Sequence, residues 1–506
     1  MANICVIQLG AENYSRIYSI ADGLEWNYEP DFSMLPKKDF DVVILNREIT
    51  EEEFGFLMKY SKAHCLFTEA GLLRKSDSLA RKLYVSKMGR SLDENGMKDF
   101  VRKKILDYYP KPYGEKFKPV EISVSQKFSG SVSWRGFQGV FLEGDYGKEL
   151  KQVLYWRNNI PIAKNQTLEF WLEYDKDPEV TISLEITEFA AGHVSDVLAC
   201  RNYDEEALRD IIYFENGATG GYLYFSLKAK GKGKLHLNAL HDRFSRHGEG
   251  NFIPGGRRVV TADREEIFCY FDPGNMKPPL NVYFSGYKTQ EGFEGFRMMR
   301  NLEHPFLLIS EPRLEGGAFY LGSEEYEERL TSIIRYYMKK LNFDNSQVIL
   351  SGLSMGTFGA LYYGCRIRPH TILIGKPLAS LGDVADNERI RRPGGFPTSL
   401  DVLYKAAGGI DTAAVNRMND RFWNRFDQTD WKDTRFAVAY MIEDDYDMTA
   451  YQLLQSHLKD AGVQIYGKGL HGRHNDNTAG IVDWFLTQYR KILKSEFDDR
   501  YEGESV

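Results

Sequence analysis

The sequence predicts a multidomain protein of α/β plus β class, and three patterns carry that prediction. Over residues 1–112, short β-branched apolar runs alternate with helical segments, the mark of a parallel sheet. Over 113–250 the helical segments give way to short runs of alternating polar and apolar residues between glycine turns, the mark of an all-β sandwich. Over 251–506 strands and helices alternate again, around the stretch QVILSGLSMGTFGALYYG at 347–364. A length of 506 residues suits about three domains.

In the first unit, residues 3–8, 41–45 and 63–67 read as strands and 51–60 as a helix, which makes it Rossmann-like. The turn at Leu9 and Gly10 has no G-x-G-x-x-G, so dinucleotide binding is unsupported and the unit reads as a docking or scaffolding domain. The segment YYPKPYG at 108–114 is a linker. Strands follow at 121–125, 167–172, 180–185, 222–227 and 234–237, short and regular as in a jelly-roll sandwich of carbohydrate-binding-like type. Trp134, Trp156 and Trp171 are candidates for stacking on a sugar ring, although core packing is the commoner role of a tryptophan.

In the third unit, 280–284, 305–309, 371–374, 436–442 and 463–466 read as strands, and 324–341, 449–461 and 478–493 as helices. Residues 381–432 look irregular, with Arg389, Arg391, Arg392 and PGGFP at 393–397. An insertion there is placed to serve as a lid or substrate-binding element over the strand ends. This order of elements is that of an α/β-hydrolase core.

Composition sets outer limits. Hydrophobic residues make up 42% and aromatics 14%, ample for packed cores. The formal net charge of −7 and the lack of a dense basic tract leave no electrostatic footprint for nucleic acid. Five cysteines, Cys5, Cys65, Cys200, Cys269 and Cys365, are scattered with no C-x-x-C, which points to reduced, mostly buried thiols in a cytoplasmic protein. The opening MANICVIQLG has no basic region ahead of its apolar residues and reads as a strand, not a signal peptide. No apolar run is long enough for a transmembrane segment.

The chemistry centres on Ser354. A strand over 347–351, then G-L-S-M-G, then a helix is the context of a nucleophile elbow. The serine must sit on a sharp turn, and glycines on both sides remove side chains that would collide with the neighbouring strand and helix. A serine nucleophile needs a base, and the base an orienting acid, in the chain order serine, acid, histidine. The acid belongs just past a strand end, where EDDYD at 443–447 lies; Asp444 is favoured, with Glu443 and Asp447 as alternatives. The histidine belongs in the loop before the last helix, GLHGRHNDN at 469–477. His474 is nearest that helix, with His471 as the competitor. The oxyanion hole needs two N–H donors: the amide of Met355 and that of Gly286 or Tyr287 in the turn after strand 280–284. His236, His241 and His247 share a segment, but their spacing matches no closed zinc pattern, and no metal site is expected.

With SGLSMGTFGALYYG, RRPGGFPTSLDVL, MIEDDYDMTAYQLL and GLHGRHND in place, the chain resembles the second accessory Sec-system secretion protein family of Gram-positive bacteria. The resemblance runs over most of the chain. It implies a cytoplasmic protein, peripheral at the membrane through its export complex. Its partners would be the first and third accessory secretion proteins, the accessory SecA motor ATPase and a glycosylated serine-rich repeat adhesin. It also implies O-acetylation of N-acetylglucosamine on that adhesin, with Ser354, Asp444 and His474 carried over as the triad. No bound cofactor is implied, but an acetyl donor is required. A carboxylesterase or deacetylase with the same triad, and a non-catalytic scaffold subunit, are the alternative readings.

Overall fold

Three sheets carry the chain in the computed structural model, which describes residues 3–74, 78–193, 195–216 and 219–498. The first has five parallel strands in the spatial order Leu24–Tyr28, Ile4–Leu9, Val42–Leu45, Leu66–Glu69, Arg90–Leu92. Its central strands Ile4–Leu9 and Val42–Leu45 are buried throughout, as apolar runs between two helical layers must be. The helix Glu51–Tyr60 has the expected bounds. Thr50 and Glu53 form a capping box at its start.

The second sheet has ten antiparallel strands around one apolar core. Its strands are not all short. Gly221–Phe244 is a single strand of 24 residues, and it contains both the 222–227 and the 234–237 runs. Gly231 and Gly233 lie between those runs at φ +96° and +143°. The register against Gly139–Trp156 shifts on both sides of Gly231, so glycines that read as a turn instead lie within one continuous, bulged strand.

The third sheet has eight strands, in the spatial order Arg257–Val260, Glu266–Asp272, Phe306–Ser310, Leu280–Phe284, Val348–Leu353, Thr371–Gly375, Arg435–Met441, Ile465–Leu470. Glu266–Asp272 runs antiparallel to both neighbours, and the six strands beyond it are mutually parallel. The C-terminal ends of those six therefore lie along one edge, where a ligand of an open parallel sheet is expected. Val348–Leu353 is central, with Val348 to Ser351 fully buried.

Residues 381–432 are a correction to the sequence reading. They hold three helices, Leu381–Ile390, Ser399–Ala407 and Thr412–Asp427. The apolar stripe of the last, Ala414, Val415, Met418, Phe422 and Phe426, is thinned by five charged residues and three asparagines or glutamines nearby, which hide its period.

A buried ionic network joins the second and third sheets. Arg243 forks onto Glu266 at 2.8 and 2.7 Å and donates from Nε to Glu291 at 2.6 Å. His241 pairs through Nδ1 with Glu291, and its Nε2 lies 3.1 Å from Glu173. Nearby, the 136–138 turn of the second sheet sits on Asp401, whose carboxylate accepts the Phe137 amide at 3.2 Å. No helix among the described residues is long and apolar enough to cross a membrane.

Candidate active site

Ser354 occupies the turn between the strand Val348–Leu353 and the helix Met355–Ile367 at φ +51°, ψ −121°. A non-glycine residue rarely adopts that conformation, and it is held here by the surroundings. The Ser354 amide donates to Gly375 O at 2.9 Å. The flanking glycines are sterically required. A Cβ on Gly352 would lie 2.4 Å from the Gly356 backbone, and one on Gly356 only 2.1 Å from Phe284 O.

The structure brings Ser354, His474 and Asp444 together. Ser354 Oγ lies 2.8 Å from His474 Nε2, and His474 Nδ1 lies 2.9 Å from Asp444 Oδ2. His474 is 1% exposed and Asp444 8%. The second Asp444 oxygen accepts the amides of Tyr446 and Asp447 at 2.9 and 3.3 Å, which fixes the carboxylate.

The other acids of the 443–447 loop go elsewhere. Glu443 binds His471 Nδ1 at 3.0 Å and the Gly472 amide at 2.6 Å, on the surface. Asp447 accepts the Ala379 and Ser380 amides at 2.8 Å each. Burial pushes the Asp447 carboxyl up to about 6 despite those two donors. Neither alternative acid touches His474, and exposed His471 touches neither Ser354 nor Asp444. Asp445 accepts the His474 amide at 3.0 Å.

The oxyanion side separates the two expected donors. The Gly286 amide is taken by Glu294 Oε2 at 2.6 Å. The Tyr287 amide donates to no protein acceptor among the described residues. The Met355 amide is the first in its helix and so has no intrahelical acceptor. Met355 and Tyr287 thus offer free N–H groups, and Gly286 does not.

Several residues at the site carried no signal in the sequence. Tyr446 stacks on the His474 ring, with centroids 4.2 Å apart. Lys376 is buried at φ +59° and donates from Nζ to Thr478 Oγ1 at 2.9 Å. Burial lowers its pKa, and Asp444 and Asp476 oppose that shift. Glu294 is ten residues past the strand end at Phe284 and reaches back by a loop that no periodicity reveals.

The tryptophans divide by burial. Trp156 and Trp171 are 2% exposed, Trp171 lying beneath the guanidinium groups of Arg258 and Arg264, whereas Trp134 is 46% exposed. His236, His241 and His247 have separate partners, in Gln138, Glu291 and Asp107 respectively. Glu173, His241 and Glu266 bring donor atoms within 4.8 Å of one another. Both Glu266 oxygens, however, already receive guanidinium donors from Arg243 and Arg258, which crowd positive charge where a cation would sit.

Residues 4–499 match the family described as accessory Sec system GspB-transporter. The chain belongs to that family. Curated accessory Sec system proteins of Streptococcus gordonii and Staphylococcus aureus are each 36% identical to it over 510 residues. The alignments span 97% of this chain and 98% and 97% of those relatives. Among solved structures, a chain of the Glycosylation Associate Protein (Gap123) complex from Streptococcus agalactiae superposes with a TM-score of 0.85 at 35% identity. That superposition covers 98% of this accessory Sec system chain and 99% of the other.

Proposed function

We propose that the chain is a serine-dependent O-acetyltransferase of the accessory Sec system. It places acetyl groups on N-acetylglucosamine of a serine-rich repeat glycoprotein adhesin and supports the export of that adhesin. The observation that carries the chemistry is the continuous hydrogen-bonded relay from Ser354 Oγ through His474 to Asp444. Family membership supplies the export setting. In this reading the third unit, 251–506, is an α/β-hydrolase domain, 113–250 is a jelly-roll sandwich and 1–112 is a docking domain. The strand order of the third sheet and its elbow support the first of these assignments.

The reaction runs in two balanced steps. His474 Nε2 takes the Ser354 proton as Oγ attacks the acetyl carbonyl of the donor, and the leaving group departs with that proton. The tetrahedral oxygen is held by the Met355 and Tyr287 amides. The sugar hydroxyl then gives its proton to His474 and attacks the acetyl-serine, and Ser354 leaves with the proton. Asp444 keeps Nδ1 protonated and stabilises the imidazolium formed in each step. Water in place of the sugar hydroxyl would make the same site an esterase, so exclusion of water is the property that decides between them.

The reading places the chain in the cytoplasm with the first and third accessory secretion proteins and the accessory SecA motor. The Gap123 complex of the Streptococcus agalactiae relative supports such an assembly. Turnover of a small chromogenic acetate by wild type, Ser354→Ala and His474→Ala, with and without N-acetylglucosamine, tests it. Loss in both variants and acetyl-sugar formation in wild type are expected. Acetate release that a sugar acceptor does not divert would favour the esterase. Adhesin acetylation untouched by Ser354→Ala would leave only the scaffold role.

A further inference from the structure

We infer that Arg392 is a positioning residue for the base: it holds His474 from outside the triad, so that the lid segment around 392–396 helps assemble the site it covers. The inference rests on the acyl-transfer reading of Ser354, His474 and Asp444. Three consecutive residues each hold a different part of His474. Asp444 binds the ring nitrogen at 2.9 Å, Asp445 Oδ1 accepts the backbone amide at 3.0 Å, and the Tyr446 ring lies over the imidazole at an interplanar angle of 20°.

Arg392 engages two of those three. Its Nε forms an ion pair with Asp445 Oδ2 at 2.6 Å, and its guanidinium covers the Tyr446 ring at 4.2 Å from the centroid. The imidazole and the guanidinium are both too close to share a face of that ring, so Tyr446 is sandwiched between them. Arginine suits the task because one flat group can fork onto a carboxylate and stack on an aromatic face.

The same lid segment supplies two more ties. Tyr446 Oη donates to Gly395 O at 2.6 Å and accepts from Asn475 Nδ2 at 3.1 Å. Phe396 packs edge-on against Tyr446 at 5.6 Å and against Tyr287, the oxyanion-side residue, at 5.2 Å. The lid is thus fastened to the base and to the oxyanion turn at once. The base must receive and return a proton twice per cycle, and a displacement of about 1 Å can cost about 100-fold.

The test uses the full chain as wild type, Arg392→Ala, Arg392→Lys and Asp445→Asn, with p-nitrophenyl acetate as substrate. Arg392→Ala is expected to lower kcat by about 10–100-fold with KM unchanged. Arg392→Lys keeps the ion pair but not the flat stack and recovers only part of that loss. Asp445→Asn, which breaks the pair but leaves the ring stack, gives a smaller loss and stands in if Arg392→Ala does not fold. In parallel, ¹³C-histidine-labelled protein reports the His474 ring resonance, which Arg392→Ala shifts by releasing the stacked tyrosine. An unchanged kcat with an unchanged His474 resonance would overturn the inference. So would a rise in KM at constant kcat, which would make Arg392 a substrate contact through its unpartnered Nη1. If wild type does not turn over the ester, the resonance alone decides, and it is the acyl-transfer reading that has failed.

Discussion

Two buried histidines in this chain are built alike and are set up for different tasks. His474 and His241 are 1% and 0% exposed, and each presents Nδ1 to a carboxylate, Asp444 or Glu291. The difference lies on the other nitrogen. His474 Nε2 meets Ser354 Oγ at the turn of an elbow, whereas His241 Nε2 meets a second carboxylate, Glu173. Burial alone would lower the His241 pKa, but Glu291 and Glu173 outweigh it and raise it. With a carboxylate on each side, His241 is a structural tie between two sheets. With a hydroxyl on one side, His474 has a proton to accept. A buried His–carboxylate pair therefore does not mark a catalytic base; the third group does.

Removing each ring separates the two histidines most strongly. His474→Ala should abolish acetyl-ester turnover and lower the melting temperature less than His241→Ala, since its set holds one carboxylate and one neutral hydroxyl. His241→Ala should lower the melting temperature and spare the chemistry, since taking one partner from a buried ionic set costs about 3–5 kcal/mol. Turnover assays and thermal melts on both variants check the crossed outcome. Next in size, Asp444→Asn should cost about 10³–10⁴-fold in kcat by favouring the wrong tautomer, while Glu443→Gln, on exposed His471, should leave kcat unchanged in the same assay.

Asp447 gives a smaller, pH-dependent effect. Its folded pKa of about 6 lies above the ordinary carboxylate value of 3.8. The folded state therefore loses stability as pH rises through that window and the buried group ionises. Asp447→Asn keeps an oxygen for the Ala379 and Ser380 amides without the charge. It should melt higher than wild type at pH 8, with the gain vanishing toward pH 4, as thermal melts across that range would show. Smallest of all, Glu294→Ala should leave ester turnover unchanged, because in the proposed mechanism the second amide is that of Tyr287, which is free, and not that of Gly286, which Glu294 takes. A fall in kcat would return Gly286 or Glu294 itself to the mechanism.

Much of the site was legible because its parts obey local rules. The elbow glycines are forced by contacts of a few ångströms, and the helix read over 324–341 has those bounds, with Ser323 as its N-cap. The acid loop was legible as a cluster in which Asp444 was favoured over Glu443 and Asp447. Which carboxylate faces His474 depends on how 443–447 folds against 379–380 and 471–474, and those contacts are distant in sequence. Arg392 was legible as a charged residue in an insertion, but its stack on Tyr446 was not, because aromatic contacts across loops leave no period. The three helices of 381–432 and the bulged 24-residue strand were missed for related reasons: polar residues hid one repeat, and glycines at positive φ imitated a turn in the other.

The central claim is that Ser354 carries the acetyl group, with His474 as its base. Intact-mass and peptide analysis of the protein quenched in acid during turnover of p-nitrophenyl acetate tests it most directly. Acyl transfer through Ser354 should leave a single added acetyl group on the peptide containing Ser354, absent in Ser354→Ala and strongly reduced in His474→Ala. Turnover in wild type with no acetyl group on Ser354, or with the same turnover in Ser354→Ala, would contradict it.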